Sequence, residues 1–221
     1  MGAISPSALL GAYLLVTLCR LLAGVVRPNP WIIAAHAGLM LVVLLAVLVR
    51  RVPRWLMDWL VLAVLPFLYW ALPSVIAASG RVSREATVLV WEHALFGNPA
   101  ATWASSAPLV ALSETLHLAY LSYYALVPAL AVLLTLAGRG RDRTESVFVL
   151  LCSFIACFLT YSVFPVDGPR YFPTTAAPDG PVRSAVTWIV ERGSSRGTAF
   201  PSSHVAIAVT QTILAVRYFG F

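Results

Sequence analysis

Apolar residues in this chain gather into six long runs instead of alternating with polar ones. The runs cover residues 8–26, 30–49, 55–78, 108–137, 147–164 and 201–219. Each is close to or above the roughly 20 residues that a helix needs to cross a hydrocarbon layer about 30 Å thick. A membrane-spanning strand would show strict apolar–polar alternation over about ten residues. Backbone polar groups in lipid must be bonded within their own segment, which long unbroken apolar runs achieve only as helices. The pattern predicts an all-α polytopic membrane bundle of about six transmembrane helices, forming one membrane domain over 1–221.

The polar stretches between the runs are of two kinds. Two are short and rich in arginine: Arg50, Arg51 and Arg54 fill one, and Arg139, Arg141 and Arg143 fill another beside Asp142 and Glu145. Counting crossings puts both on the side of the N-terminus. Basic residues concentrate in short cytoplasmic connections, so this side is expected to be cytoplasmic, in the plasma (inner) membrane. The other side carries two long connections, an outer interfacial segment over 79–107 and an outer active-site loop over 165–200. In the first, residues 85–96 are predicted to form an amphipathic helix at the membrane surface, with Trp91 and Trp103 as interfacial anchors. In the second, Asp167-Gly168-Pro169 and Asp179-Gly180-Pro181 read as turns bracketing a structured excursion.

Composition agrees with this picture. Charged residues make up only 11% of the chain and apolar residues 60%, whereas soluble domains carry about 25% charge. So little charge cannot cover a water-facing surface. The formal net charge is +6 and all 15 basic residues are arginine. They are scattered between apolar runs, which suits topology and phosphate contact and argues against a nucleic-acid partner. Cys19, Cys152 and Cys157 all fall inside apolar runs with no metal or disulfide spacing. No basic residues precede the first run and no small-residue cleavage site follows it, so it is expected to be retained as a span.

Candidate chemistry lies at the edges of the last two runs. Phe200-Pro201-Ser202-Ser203-His204 opens the sixth. Small hydroxyl residues at a helix start satisfy free N–H groups, and proline is tolerated there. The remaining N–H groups and the positive end of the helix dipole make a seat for an anion. A histidine in that first turn can exchange a proton with the anion's oxygen near neutral pH. An ordinary helix cap followed by a packed histidine is the competing reading. Immediately after the fifth run comes Phe164-Pro165-Val166-Asp167-Gly168-Pro169-Arg170-Tyr171-Phe172. Its Arg170 offers a planar, permanently charged fork suited to phosphate oxygens, although an arginine reaching out to lipid head groups would look the same. Arg170 ends one span and His204 starts the next, so the two are expected at the same membrane face.

These two motifs resemble those of the type 2 phosphatidic acid phosphatase superfamily, especially the branch containing inositol phosphorylceramide synthases. There the first motif resembles Gly168-Pro169-Arg170-Tyr171 and the second resembles Phe200–His204; Leu95-Phe96-Gly97 and the tyrosine-rich fourth run look like upstream features of that branch. The resemblance implies a lipid phosphatase or phosphotransferase acting on a lipid phosphate substrate within the bilayer. Arg170 would grip the phosphate, Ser202 and the Ser203 backbone would cradle it, and His204 would protonate the leaving oxygen. The nucleophile would be the histidine of a third motif, oriented by an aspartate, forming a transient phosphohistidine. That motif does not occur up to Phe221 and is expected on further helices of a longer native chain. Ser203 stands where many relatives have glycine. No cofactor or metal is implied, since arginine and histidine supply the charge.

Other polar residues fall within the runs. Arg20 and Asp58 lie near span ends, where snorkelling or a mutual ion pair suffices. His36 is expected to bond to a neighbouring helix, and His93 to be solvated. Glu114 and His117 are three residues apart, on one helix face that Tyr120 and Tyr124 continue. This pair is expected either to support the phosphate site, together with Asp167 and Tyr171, or to belong to a structural polar network. A di-iron site would need a second such pair. The alternative from another class is a non-catalytic membrane protein that binds anionic lipid head groups. A transporter is disfavoured by the lack of an inverted repeat.

Overall fold

A computed structural model of the 221-residue chain describes residues 5–49, 52–97, 110–168, 180–193 and 195–220. Its elements are α1 (Pro6–Ala23), α2 (Pro30–Val49), α3 (Arg54–Ala78), α4 (Glu85–Phe96), α5 (Val110–Leu136), α6 (Gly140–Val163), α7 (Pro181–Gly193) and α8 (Ser203–Phe219). Among the described residues the fold is all-helical, apart from one isolated parallel bridge between Val166 and Thr198. Arg50, Arg51, Trp103, Arg170 and Tyr171 lie outside the described residues.

All six apolar runs form helices. Five of them, α1, α2, α3, α5 and α6, are long and apolar enough to cross a membrane. The sixth, α8, has 17 residues and falls just short, though it packs alongside α5 and α6. Pro66 and Pro73 lie inside α3 and Pro128 inside α5, which a membrane bundle tolerates because neighbouring groups can satisfy the freed carbonyls.

The core is built from α1, α3 and α6, around Leu14, Leu68, Leu72, Leu151 and Phe158, all essentially inaccessible. Lipid tails are as apolar as leucine, so contact between helices in a bilayer depends on close packing more than on escape from water. Gly24 and Ala78 show this. A Cβ on Gly24 would sit 2.5 Å from the Ala78 Cβ and 2.8 Å from its carbonyl oxygen. The backbones also touch there, the Val25 N–H donating to the Ala78 carbonyl at 3.2 Å. Facing outward are Trp31, Leu41, Leu44, Leu45 and Leu48 of α2, as lipid contact requires.

Charged pairs gather at one end of the bundle. The Asp58 carboxylate, 1% exposed, accepts from Arg143 Nε at 2.9 Å and from Thr144 Oγ1 at 2.8 Å. Arg139 pairs with Asp142 at 2.6 Å, and Arg217 with Glu145 at 2.9 Å. These contacts place Arg54 and the arginines at 139–143 at the same end, as the crossing count expects. They also correct two readings. Asp58 is paired with Arg143, not Arg20, whose Nη1 donates to Ser162 Oγ at 3.3 Å toward the other end. Residues 140–146 belong to α6 itself rather than to a connection. His36 is buried as expected, but its Nδ1 is 2.9 Å from the Ile32 carbonyl, one turn back in its own helix. His93 is exposed.

The α4 helix has the predicted bounds but is less amphipathic than expected. Glu85 and Glu92 share a narrow stripe, while Leu89, Val90, Trp91, Leu95 and Phe96 are exposed around the rest of the helix. No residue of it is buried.

Candidate functional site

In the described parts of the 165–200 stretch, residues 165–168, 180–193 and 195–200, there is one helix that the apolar runs do not predict, α7. The first and last of these parts are joined. Val166 N–H donates to the Gly197 carbonyl at 3.3 Å, and Ala199 N–H donates to the Val166 carbonyl at 2.9 Å. This short parallel pairing draws the end of α6 against the start of α8. Gly168 follows with φ +87°, and a Cβ there would meet that of Ala199 at 2.8 Å, so both conformation and space call for glycine.

The start of α8 follows from its sequence. Ser202 is the N-cap, and its Oγ accepts from Val205 N–H at 3.3 Å, satisfying one free donor of the first turn. Tyr161, fully buried near the end of α6, satisfies another. Its hydroxyl donates to the Pro201 carbonyl at 2.8 Å and accepts from the Ser203 N–H at 3.2 Å. Ser203 N–H therefore already has a partner. The His204 N–H has none among the described residues and is the open donor at this helix start. Farther along α8, Gln211 Nε2 donates to the Leu126 and Val127 carbonyls of α5, and Ser153 and Thr210 hydroxyls meet at 3.0 Å. These contacts hold α8 against α5 and α6.

The His204 ring lies between two tyrosines of α5. Tyr120 stacks on it at 4.5 Å between centroids, and Tyr123 approaches at 4.1 Å. Its Nε2 is buried without a hydrogen-bond partner among the described residues. An unmet buried polar atom costs about 1–3 kcal/mol, and such groups call for an explanation that is often functional.

A cavity of about 810 Å³ opens above this turn. Ser202, Ser203 and His204 line it together with His117 and Tyr120 of α5, Tyr69 of α3, Asp167 and Gly168, and the inner face of α7 at Val186, Thr187, Val190 and Glu191. The volume falls in the usual range of small-molecule sites. Of the residues singled out in the sequence, His204, Ser202, Ser203, Asp167 and His117 thus share one cavity, while Arg170 and Tyr171 lie outside the described residues.

Glu114 goes elsewhere. It is next to His117 on the helix, but its two oxygens accept from Val182 N–H at 2.8 Å and Arg183 N–H at 3.0 Å, at the start of α7. His117 Nδ1 instead donates to the Ser113 carbonyl at 2.7 Å. Tyr69 and Tyr161 were missed by sequence reasoning. Tyr69 reaches Thr198 Oγ1 at 3.2 Å; the only available signal was a phenol within an apolar run. Among the described residues no three His, Cys, Asp or Glu side chains gather as metal ligands do.

The PAP2 superfamily matches residues 86–220, more than half of the chain, from α4 to the end of α8. The chain belongs to the PAP2 superfamily. The matched stretch contains every cavity residue except Tyr69. No curated protein and no solved structure matches the chain.

Proposed function

We propose that this PAP2 superfamily member is a membrane lipid phosphatase or phosphotransferase that acts on a lipid phosphate at the extracytoplasmic face. The observation that carries the reading is the arrangement at the head of α8. An open helix N-terminus, two serine hydroxyls and an unpartnered histidine meet at the floor of a cavity, at the bundle end away from the paired arginines.

The chemistry follows from that arrangement. A phosphoryl group seated at the helix start meets the His204 N–H and the positive dipole end. Arg170 supplies the fork of donors that completes the charge balance. Gly168, which lines the cavity, precedes Arg170 by two residues, and two residues of chain reach at most about 7 Å. In the covalent step a nucleophilic imidazole attacks phosphorus and the ester oxygen departs, taking a proton from His204. Water or a second alcohol then attacks the phosphohistidine, with His204 accepting its proton. The nucleophile in this scheme is the third-motif histidine of the superfamily, with its aspartate. The spelling of Gly168–Tyr171 and Phe200–His204 supports the inositol phosphorylceramide synthase-like branch. His117 and Asp167, which line the same cavity, are polar groups in support. The short arginine-rich connections at the opposite end support a cytoplasmic N-terminus in the plasma (inner) membrane.

The test uses the full native chain in lipid vesicles with a panel of lipid phosphates, with and without EDTA. Turnover is expected to survive EDTA. His204→Ala and Arg170→Ala are each expected to abolish phosphate release and transfer while insertion is normal. Near-normal turnover in both variants refutes the reading. Head-group binding without turnover in the wild type favours the non-catalytic alternative.

A further inference from the structure

Besides residues 195–199, two parts of the cavity wall are not membrane helices: the short stretch Asp167–Gly168 and the helix α7. Each is gripped by a carboxylate from a different helix. Glu85, in the first turn of α4, accepts from the Gly168 N–H through Oε2 at 2.7 Å. Glu114, in the second turn of α5, accepts from Val182 and Arg183 N–H at 2.8 and 3.0 Å. These are charge-assisted bonds to backbone donors, the stronger class. The pair at α7 also places a negative charge at the positive end of a helix dipole.

Glycine makes both grips possible. At Gly168 the positive φ and the 2.8 Å approach to Ala199 admit little else. At Gly180 an added Cβ would lie 2.3–2.8 Å from the carboxylate atoms of Glu114, so a side chain would displace the carboxylate from the helix start. In sequence, the stretch 169–179 runs from one anchored wall to the other. A further bond secures the first: Arg84 N–H donates to the Pro165 carbonyl at 2.7 Å.

We propose that Glu85 and Glu114 are positioning residues, which hold the two outer walls of the cavity in register with His204 and so set its affinity for lipid phosphate. Neither touches the reacting atoms. The inference rests on the proposed function for its kinetic consequence, but the anchoring can be measured without activity.

Glu85→Ala and Glu114→Ala in the full native chain are expected to raise KM for lipid phosphate about tenfold, the fold-change carried by one charge-assisted hydrogen bond, with kcat changed less. Glu85→Gln, which keeps one acceptor for its single bond, is expected to restore KM. Glu114→Gln, with one oxygen for two donors, should restore it in part. Gly180→Ala is expected to resemble Glu114→Ala although the acid is still present. Glu92→Ala, on α4 but away from these contacts, is the control for lost charge and should behave as wild type. In parallel, hydrogen exchange over residues 181–193 should quicken in Glu114→Ala, and over 164–168 in Glu85→Ala.

A lowered unfolding temperature with unchanged KM in the folded fraction would mean stability alone and overturns the proposal. Unchanged exchange at both walls overturns it as well. If the wild type turns over no lipid phosphate, the proposed function fails, and exchange alone decides whether the carboxylates anchor the walls.

Discussion

Tyr161→Phe removes one oxygen and probes the link between α6 and the head of α8. In the wild type that oxygen bonds on both sides, to the Pro201 carbonyl at 2.8 Å and from the Ser203 N–H at 3.2 Å. Phenylalanine keeps the ring and its packing against Phe158 but leaves a carbonyl and an N–H unmet beside Ser203, which is 5% exposed. Each unmet buried group costs about 1–3 kcal/mol. Water entering from the cavity can recover part of this, so a total of about 2–3 kcal/mol is expected. For a chain of this size that corresponds to roughly 5–10 °C in Tm.

The functional effect should exceed the loss of stability, because the freed turn carries His204 itself. A displacement of about 1 Å in a reacting group can cost on the order of 100-fold in rate. The assay is phosphate release by purified protein in vesicles, with kcat and KM separated, alongside thermal unfolding in detergent. Tyr13→Phe is the matched control: Tyr13 is also buried, 5% exposed against 0% for Tyr161, but its hydroxyl makes no hydrogen bond among the described residues. A fall in kcat of about tenfold or more is expected for Tyr161→Phe and none for Tyr13→Phe. Equal behaviour of the two variants in both assays refutes the claim that Tyr161 holds the head of α8.

Two further outcomes test the bundle. Asp58→Asn strands the buried Arg143 guanidinium and is expected to destabilise by about 3–5 kcal/mol in thermal unfolding, whereas Asp58→Leu combined with Arg143→Met should recover most of that loss. Gly24→Val places side-chain atoms where Ala78 approaches within 2.5–2.9 Å. It should part α1 from α3, seen as a fall of about 1–3 kcal/mol in stability or as loss of monodisperse protein on size exclusion.

The helices were legible because a bilayer makes an unusual demand: about 20 consecutive apolar residues leave little ambiguity over element or type. Legibility failed where tertiary partners decided the outcome. Arg143 reads as a residue of a polar connection, yet a carboxylate 85 residues earlier lets it sit inside α6, so the helix starts at Gly140 instead of residue 147. Glu114 shares a helix face with His117, and spacing alone links the two. Glu114 instead bonds to the start of α7, a helix that the apolar runs do not predict. The signal for α7 was present in Val182, Val186, Ile189 and Val190, spaced at four, three and one residues, but turn residues on both sides masked it. His36 shows the limit from the other direction. A buried histidine needs a partner, and sequence cannot say whether it lies on the next helix or one turn back. The helix start at 200–204 was legible because its parts are local: cap, turn and histidine fall within five residues.

The contrast between the two ends of the bundle follows from what each has to hold. Ion pairs among α3, α6 and α8 lie at the arginine-rich end, and the least exposed of them, Asp58 with Arg143, is sheltered from the screening that weakens exposed pairs. The cavity end is joined by hydrogen bonds without ion pairs among the described residues, Tyr69 to Thr198, Tyr161 to Pro201 and Ser203, and Arg20 to Ser162, and by two carboxylates bonded to backbone N–H groups. Local opening is favoured where contacts are few and weaker. On the proposed function, a lipid phosphate enters and leaves at the end where His204 stands, while the ion pairs at the opposite end hold α3, α6 and α8 together. A carboxylate bonded to N–H groups also has its charge partly met by their dipoles, which lowers its repulsion of an anionic substrate. Asp167 and Glu191 line the cavity without such bonds among the described residues, so on the proposed function a phosphate is seated at the head of α8 rather than beside them.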